Sequence, residues 1–112
     1  MTQLFSHAEA EALLPRLRPI LLDIQTWTAE VGAQSAELDR LLGRGRNNGH
    51  SVDPAVVRRI QGDSARTQSR LERARQQVAA LGVELKDPRI GLIDFRHRMQ
   101  GRIVYLCWKL DE

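Results

Sequence analysis

Residues 6–42 read SHAEAEALLPRLRPILLDIQTWTAEVGAQSAELDRLL, and the spacing of apolar side chains in this stretch decides the fold. Ala10, Leu14, Leu17, Leu21, Ile24, Val31, Leu38 and Leu42, with Thr28 and Ser35 in the gaps, recur in alternating steps of four and three. At about 3.6 residues per turn, such steps keep one stripe of a helix turned toward a partner, as in the seam of a two-helix coil. Ser6 and Glu9 have the spacing of a capping box at its start. Pro15 and Pro19 fall outside the seam. Each removes a backbone donor, so the helix is predicted to bend near them and continue.

The partner follows in the same chain. Gly43 to Ser51 (GRGRNNGHS) has the composition of a loop. Asp53-Pro54 then supplies an N-cap and a proline at the first helical position. A second seam runs through Val57, Ile60, Ser64, Thr67, Leu71, Ala74, Val78 and Leu81, and Gly82 is a natural stop. Folding the chain about Asn47 and Asn48 sets Leu38 against Val57, Thr28 against Thr67, Ile24 against Leu71 and Leu14 against Leu81. A slide of one heptad satisfies the pattern equally, so loop length decides the register. Thr28, Ser35, Ser64 and Thr67 gather in the middle of the hairpin, either as a hydrated layer that helps set register or as a ligand-binding layer.

Beyond Gly82 the period changes. Residues 91–96 (GLIDFR) and 102–110 (RIVYLCWKL) are β-branched and aromatic, with Met99-Gln100-Gly101 between them as a turn. The expected architecture is one mainly α domain over 1–112. It comprises helix one over 6–42, helix two over 54–81 and a C-terminal β-hairpin over 91–110, packed on the helices because an isolated ribbon is marginal. With 42% apolar residues but only five aromatic ones, the core is one of Leu, Ile, Val and Ala. A single cysteine, Cys107, permits no internal disulfide and suits a reducing compartment. The N-terminus lacks the pattern of a signal peptide, and no stretch approaches the ~20 apolar residues of a membrane span. The expected location is the cytoplasm, with no membrane partner.

Four stretches together resemble a bacterial family known as domain of unknown function 2203. They are Phe5-Ser6 with residues 11–19 (EALLPRLRP), residues 81–87 (LGVELKD), residues 91–95 (GLIDF) and residues 105–110 (YLCWKL). The resemblance implies a bacterial origin and a shared fold but no chemistry. Arg96 stands where that family usually has proline, and its members continue into a Trp-His segment and a Gly-Phe turn that this chain is expected to lack.

No catalytic constellation emerges from the residues. His7, His50 and His97 lie in the first helical turn, the loop and the β-turn, without metal-ligand spacing, and Cys107 is expected opposite about Leu92. It reads as a packing residue. Gly43-Arg44-Gly45 follows a helix and lacks the ending of a phosphate loop. No cofactor and no metal are expected, and an enzyme whose site is completed by another subunit or by the absent C-terminal segment is the last-ranked reading.

Charge is distributed more informatively. Residues 1–39 carry a net −4 and residues 40–75 a net +6 within a total of +3, and 15 of the 17 basic residues are arginine. Arg44, Arg46, Arg58, Arg59, Arg66, Arg70, Arg73 and Arg75 therefore form a candidate face for a nucleic-acid backbone. Neither interleaved aromatics nor a recognition motif accompany them. Arg59, Arg66 and Arg73 also recur every seven residues, as do Asp23, Glu30 and Glu37 on helix one. Beside the acidic row lies a second apolar row, Leu13, Ile20, Trp27 and Leu41, broken by Gln34. Helix one thus has a wider apolar stripe than one partner requires, and must bury it against the ribbon, a second subunit or both. These rows favour an uncharacterised, non-enzymatic assembly or interaction module, a homodimer, with an accessory nucleic-acid-binding protein as the alternative.

Overall fold

A computed structural model describes residues 3–48 and 52–112, with side chains for all of these except 44–48. Two helices, α1 (His7–Asn48) and α2 (Pro54–Ala80), precede three strands, β1 (Glu84–Asp87), β2 (Leu92–Met99) and β3 (Arg102–Trp108). The helices pack on each other as a hairpin. At about 1.5 Å per residue the 42 residues of α1 account for nearly the whole 65 Å length of the molecule.

The caps are those the sequence signals. The Glu9 amide donates to Ser6 Oγ at 3.1 Å and the Ser6 amide donates back to Glu9 Oε1 at 2.9 Å. The Ser6 amide, and after it the Ser6 hydroxyl, hold the Glu9 carboxyl below its usual range. Asp53 Oδ1 accepts from the Ala55 amide at 2.9 Å, with Pro54 first in the helix. At the other end of α2, Gly82 adopts φ 81° while its amide donates to Ala79 O and that of Val83 to Val78 O. This is the double bond pattern of a glycine-terminated helix, and it turns the chain directly into β1.

Helix one differs from expectation at its end. Gly43 to Asn48 continue the helix, and nothing lies within 4 Å of where a Gly43 Cβ would stand. A helix already 36 residues long adds residues without a new nucleation step, and the glycine penalty of about 1 kcal/mol does not stop it. The connection is therefore centred nearer residue 51 than on Asn47 and Asn48; residues 49–51, with His50, lie outside the described residues. Thr67 takes its cross-helix hydrogen bond from Gln34 Nε2 at 3.4 Å. Gln34 is six residues, about 9 Å of helix, beyond the expected partner Thr28.

The ribbon is the larger part of a three-stranded antiparallel sheet of order β1-β2-β3. Its added strand, β1, pairs Glu84 with Asp94 and Leu85 with Ile93, with a bulge before Asp87. Gln100 and Gly101, both at positive φ, form the two-residue turn that matches the twist of a hairpin. His97 lies on β2, not at the turn, and Cys107 pairs with Asp94 two places from Leu92. At Gly91, φ is 63° and an added Cβ would meet Leu110 Cδ1 at 2.5 Å, so the residues after β3 close over the β1–β2 turn.

The sheet seats on one end of the hairpin. The Phe5 amide donates to Arg96 O at 2.7 Å, His97 Nδ1 lies 2.7 Å from Phe5 O, and the Phe5 and Phe95 rings meet edge to face at 5.3 Å. Further along α1, Arg18 lies over Trp108 and Gln25 Nε2 donates to Arg89 O at 3.0 Å. The buried apolar core is Phe5, Ala10, Leu17, Leu21, Ile24, Ala74, Val78, Val83, Ile93 and Phe95, all at this end. No helix of the described residues is long and apolar enough to cross a membrane.

Candidate functional site

Helix one divides its wide apolar stripe between two intramolecular partners. On one flank of the seam, Glu11, Arg18 and Gln25, spaced by seven, reach the sheet. On the other flank Leu13, Ile20 and Trp27 are half-buried and pack on the core, and Gln34 in the same row bonds to α2. The second apolar row is thus largely occupied within the chain. Leu41, the last of the row, is half-buried on the far part of the hairpin.

That far part, here the arm, comprises α1 from Thr28 and α2 up to Thr67, and no sheet covers it. Thr67, 4% exposed, is buried there, but no apolar residue of the arm is. Val31, Leu38, Leu41, Val56, Val57 and Ile60 are half-buried, and Leu42 is exposed. Shallow grooves of about 350 Å³ and 310 Å³ run between its helices, the first lined by Val31, Ser35, Leu38, Ile60 and Ser64, the second by Glu30, Ala33, Glu37, Ile60 and Asp63. The polar middle is incompletely satisfied. Thr67 Oγ1 donates to Asp63 O at 3.0 Å and accepts from Gln34, whereas Thr28 Oγ1 and Gln34 Oε1 are buried without a partner among the described residues.

The charged rows border the arm. Asp23, Glu30, Arg59, Arg66 and Arg73 are exposed and Glu37 is half-buried. Glu37 pairs with Arg40 and Arg66 with Asp63, each three residues away on its own helix, and the first pairing raises the Arg40 pKa. Arg66, Arg70 and Arg73 line a shallow depression on α2, and Arg58 and Arg59 are exposed as well. Arg44 and Arg46 stand in helical backbone, and their side chains lie outside the described residues.

A second feature, which pattern-reading missed, lies at the other end. The sheet face turned away from the helices carries Glu84, Lys86, Asp94, Arg96, Tyr105 and Cys107. Arg96 pairs with Glu84, Lys86 lies 3.8 Å from Asp94 Oδ2 and its ammonium sits over the Tyr105 ring. Asp94 is only 6% exposed, and its Oδ1 has no N–H or O–H donor among the described residues. A hydrogen bond to Asp94, then burial, pushes the exposed Cys107 thiol up, the opposite of what a nucleophile needs. Among the described residues no group of three or more His, Cys, Asp or Glu side chains is placed to hold a metal. The signal for this face was the alternation within residues 92–98, visible only once β1 is known to pair there.

The family described as Uncharacterized conserved protein (DUF2203) matches residues 3–112, and the chain belongs to it. No curated protein and no solved structure matches the chain.

Proposed function

We propose that the protein is a non-enzymatic interaction module that forms a homodimer by packing the arm of one hairpin on that of another. The observation that carries this reading is the uneven burial. Every buried apolar residue belongs to the sheet end, while the arm keeps its seam half-exposed under no third layer. The arm has 21 residues of α1 and 14 of α2, about 31 Å and about 21 Å of helix, each about 10 Å wide. Face-to-face packing therefore covers about 500 Å² on each copy, about 1,000 Å² in all, which is the threshold for a specific interface. Two such arms make a four-helix layer with Val31, Leu38, Val57 and Ile60 toward its interior.

Charge supports a second copy as the partner. The acidic row and the basic row share the period of seven residues, about 10.5 Å, so three acids of one copy can align with three arginines of the other. Exposed pairs contribute at most ~1 kcal/mol each, so they orient the contact while the apolar seam drives it. Trp27 and Ile20, already packed on their own core, add only their exposed edges. A reducing cytoplasm suits the exposed Cys107.

The test is the mass in solution of the wild type and of a Leu38→Gln, Ile60→Gln variant, with helicity followed by circular dichroism. A wild type heavier than a monomer whose variant drops in mass but keeps its helices supports the reading. A wild type monomeric at high concentration refutes it. In that case the depression beside Arg66, Arg70 and Arg73 on α2 favours the nucleic-acid reading, whose signature is affinity falling steeply with salt.

A further inference from the structure

The two edges of the sheet are built differently. Strand β1 has four residues, is charged at Glu84, Lys86 and Asp87, and is bulged between Leu85 and Asp87. Shortness, charge and a bulge are how sheets discourage edge-to-edge pairing. Strand β3 is longer, has no bulge, and is charged only at its first residue, Arg102. Its seven residues include an uncharged run from Ile103 to Trp108 in regular register with β2, without proline. Ile103 is 54% exposed and Tyr105 48%.

Helix α1 runs past this open edge and leaves a groove of about 460 Å³ beside it, lined by Ala10, Glu11 and Leu14 together with Leu106 and Trp108. Leu106 and Trp108 pair with the buried Phe95 and Ile93, so the even-numbered residues of β3, Arg102 among them, share the helix side of the sheet. Glu11 and Arg102 are both exposed, and the side chain of neither makes an ion pair or hydrogen bond among the described residues.

We propose that β3 is a pairing edge for a second copy of the chain, the two β3 strands running antiparallel across a two-fold axis to form one six-stranded sheet. Antiparallel self-pairing brings the start of one β3 beside the later part of the other. Arg102 of one copy then enters the groove where Glu11 of the other stands, and the two-fold axis makes the pair twice. This charge match selects a second copy over an arbitrary extended peptide. The contact is separate from the pairing of the arms, so a chain using both assembles beyond a dimer.

The experiment measures mass by sedimentation in the Leu38→Gln, Ile60→Gln background, where the edge alone is left to act. The expected result is a dimer that Ile103→Lys, Glu11→Arg or Arg102→Glu each weakens by about tenfold or more, and that the double reversal Glu11→Arg, Arg102→Glu restores. These positions are exposed, and unchanged far-ultraviolet dichroism confirms that the fold is kept. A monomer in that background, single reversals without effect, or a double reversal that fails to restore pairing overturns the proposal. Failure of the arm reading looks different: the background substitutions then leave the wild-type mass unchanged, and the edge is judged on its own four variants.

Discussion

Replacing Thr28 and Thr67 singly by valine should move stability in opposite directions, although both are threonines on the seam between the helices. Valine keeps the shape of threonine and exchanges the hydroxyl for a methyl. At Thr28 the hydroxyl oxygen is buried with no partner among the described residues. Its removal relieves an unsatisfied group that costs roughly 1–3 kcal/mol. Taking the lower figure, about 1 kcal/mol, the Tm rises by roughly 4 °C for a chain of this size. At Thr67 the hydroxyl donates to Asp63 O and accepts from Gln34 Nε2. Valine there strands the Gln34 amide, whose Oε1 already lacks a partner, and stability falls by about 1–2 kcal/mol. No hydrogen bond links the two threonines, so the double variant should be close to additive. Urea and thermal unfolding followed by far-ultraviolet dichroism at one fixed protein concentration measure all three. A destabilising Thr28→Val together with a neutral Thr67→Val would refute the hydrogen-bond pattern and the register built on it.

Gly91→Ala should destabilise by about 2 kcal/mol or more, because it combines a positive φ with a clash at Leu110; Leu110→Ala in addition should recover part of that loss in thermal melts. Ser6→Ala should lower the unfolding midpoint and flatten its acid dependence only in part, because the Ser6 amide, the larger cause, remains, whereas Glu9→Gln should remove the dependence due to this cap. Bonds from Ser6 hold the folded Glu9 pKa below its unfolded value, so their stabilisation is present above the unfolded pKa and lost as pH falls through the folded one. Cys107, despite its exposure, should react with iodoacetamide at pH 8 more slowly than a free cysteine, since Asp94 raises its pKa, and Asp94→Asn should speed the reaction.

Much of this molecule is legible in its residues because its strongest signals are periodic or local. Steps of four and three carry the hairpin, Ser6 with Glu9 and Asp53 with Pro54 set the helix starts, and Gly82 sets the end of α2. What escaped depended on relations between distant segments. Glycines 43 and 45 look like a loop locally, yet the preceding turns carry the helix on through them to Asn48. The repeat fits two registers equally, so it could not place the connection, which lies between Asn48 and Pro54. Strand β1 is four residues long with little β propensity, and exists because the helix stop at Gly82 delivers it alongside β2. The apolar row Leu13, Ile20, Trp27 was correctly seen as surplus to one partner. Where that surplus goes required knowing that the sheet takes one flank of α1 and α2 the other.

The pairing of arms is tested most directly by a cross-link that can form only between copies. Two chains are prepared in a Cys107→Ser background, one bearing Glu30→Cys and the other Arg66→Cys, the central members of the acidic and basic rows. They are mixed and treated with a short bis-maleimide. The central members match whichever way the two rows run, so pairing of the arms yields a covalent species containing one chain of each kind, lost when Leu38→Gln and Ile60→Gln are added to both. If the mixture yields no mixed species at concentrations where the wild type is dimeric, the acidic row does not lie along the basic row of a neighbour, and the arm is not the dimer interface.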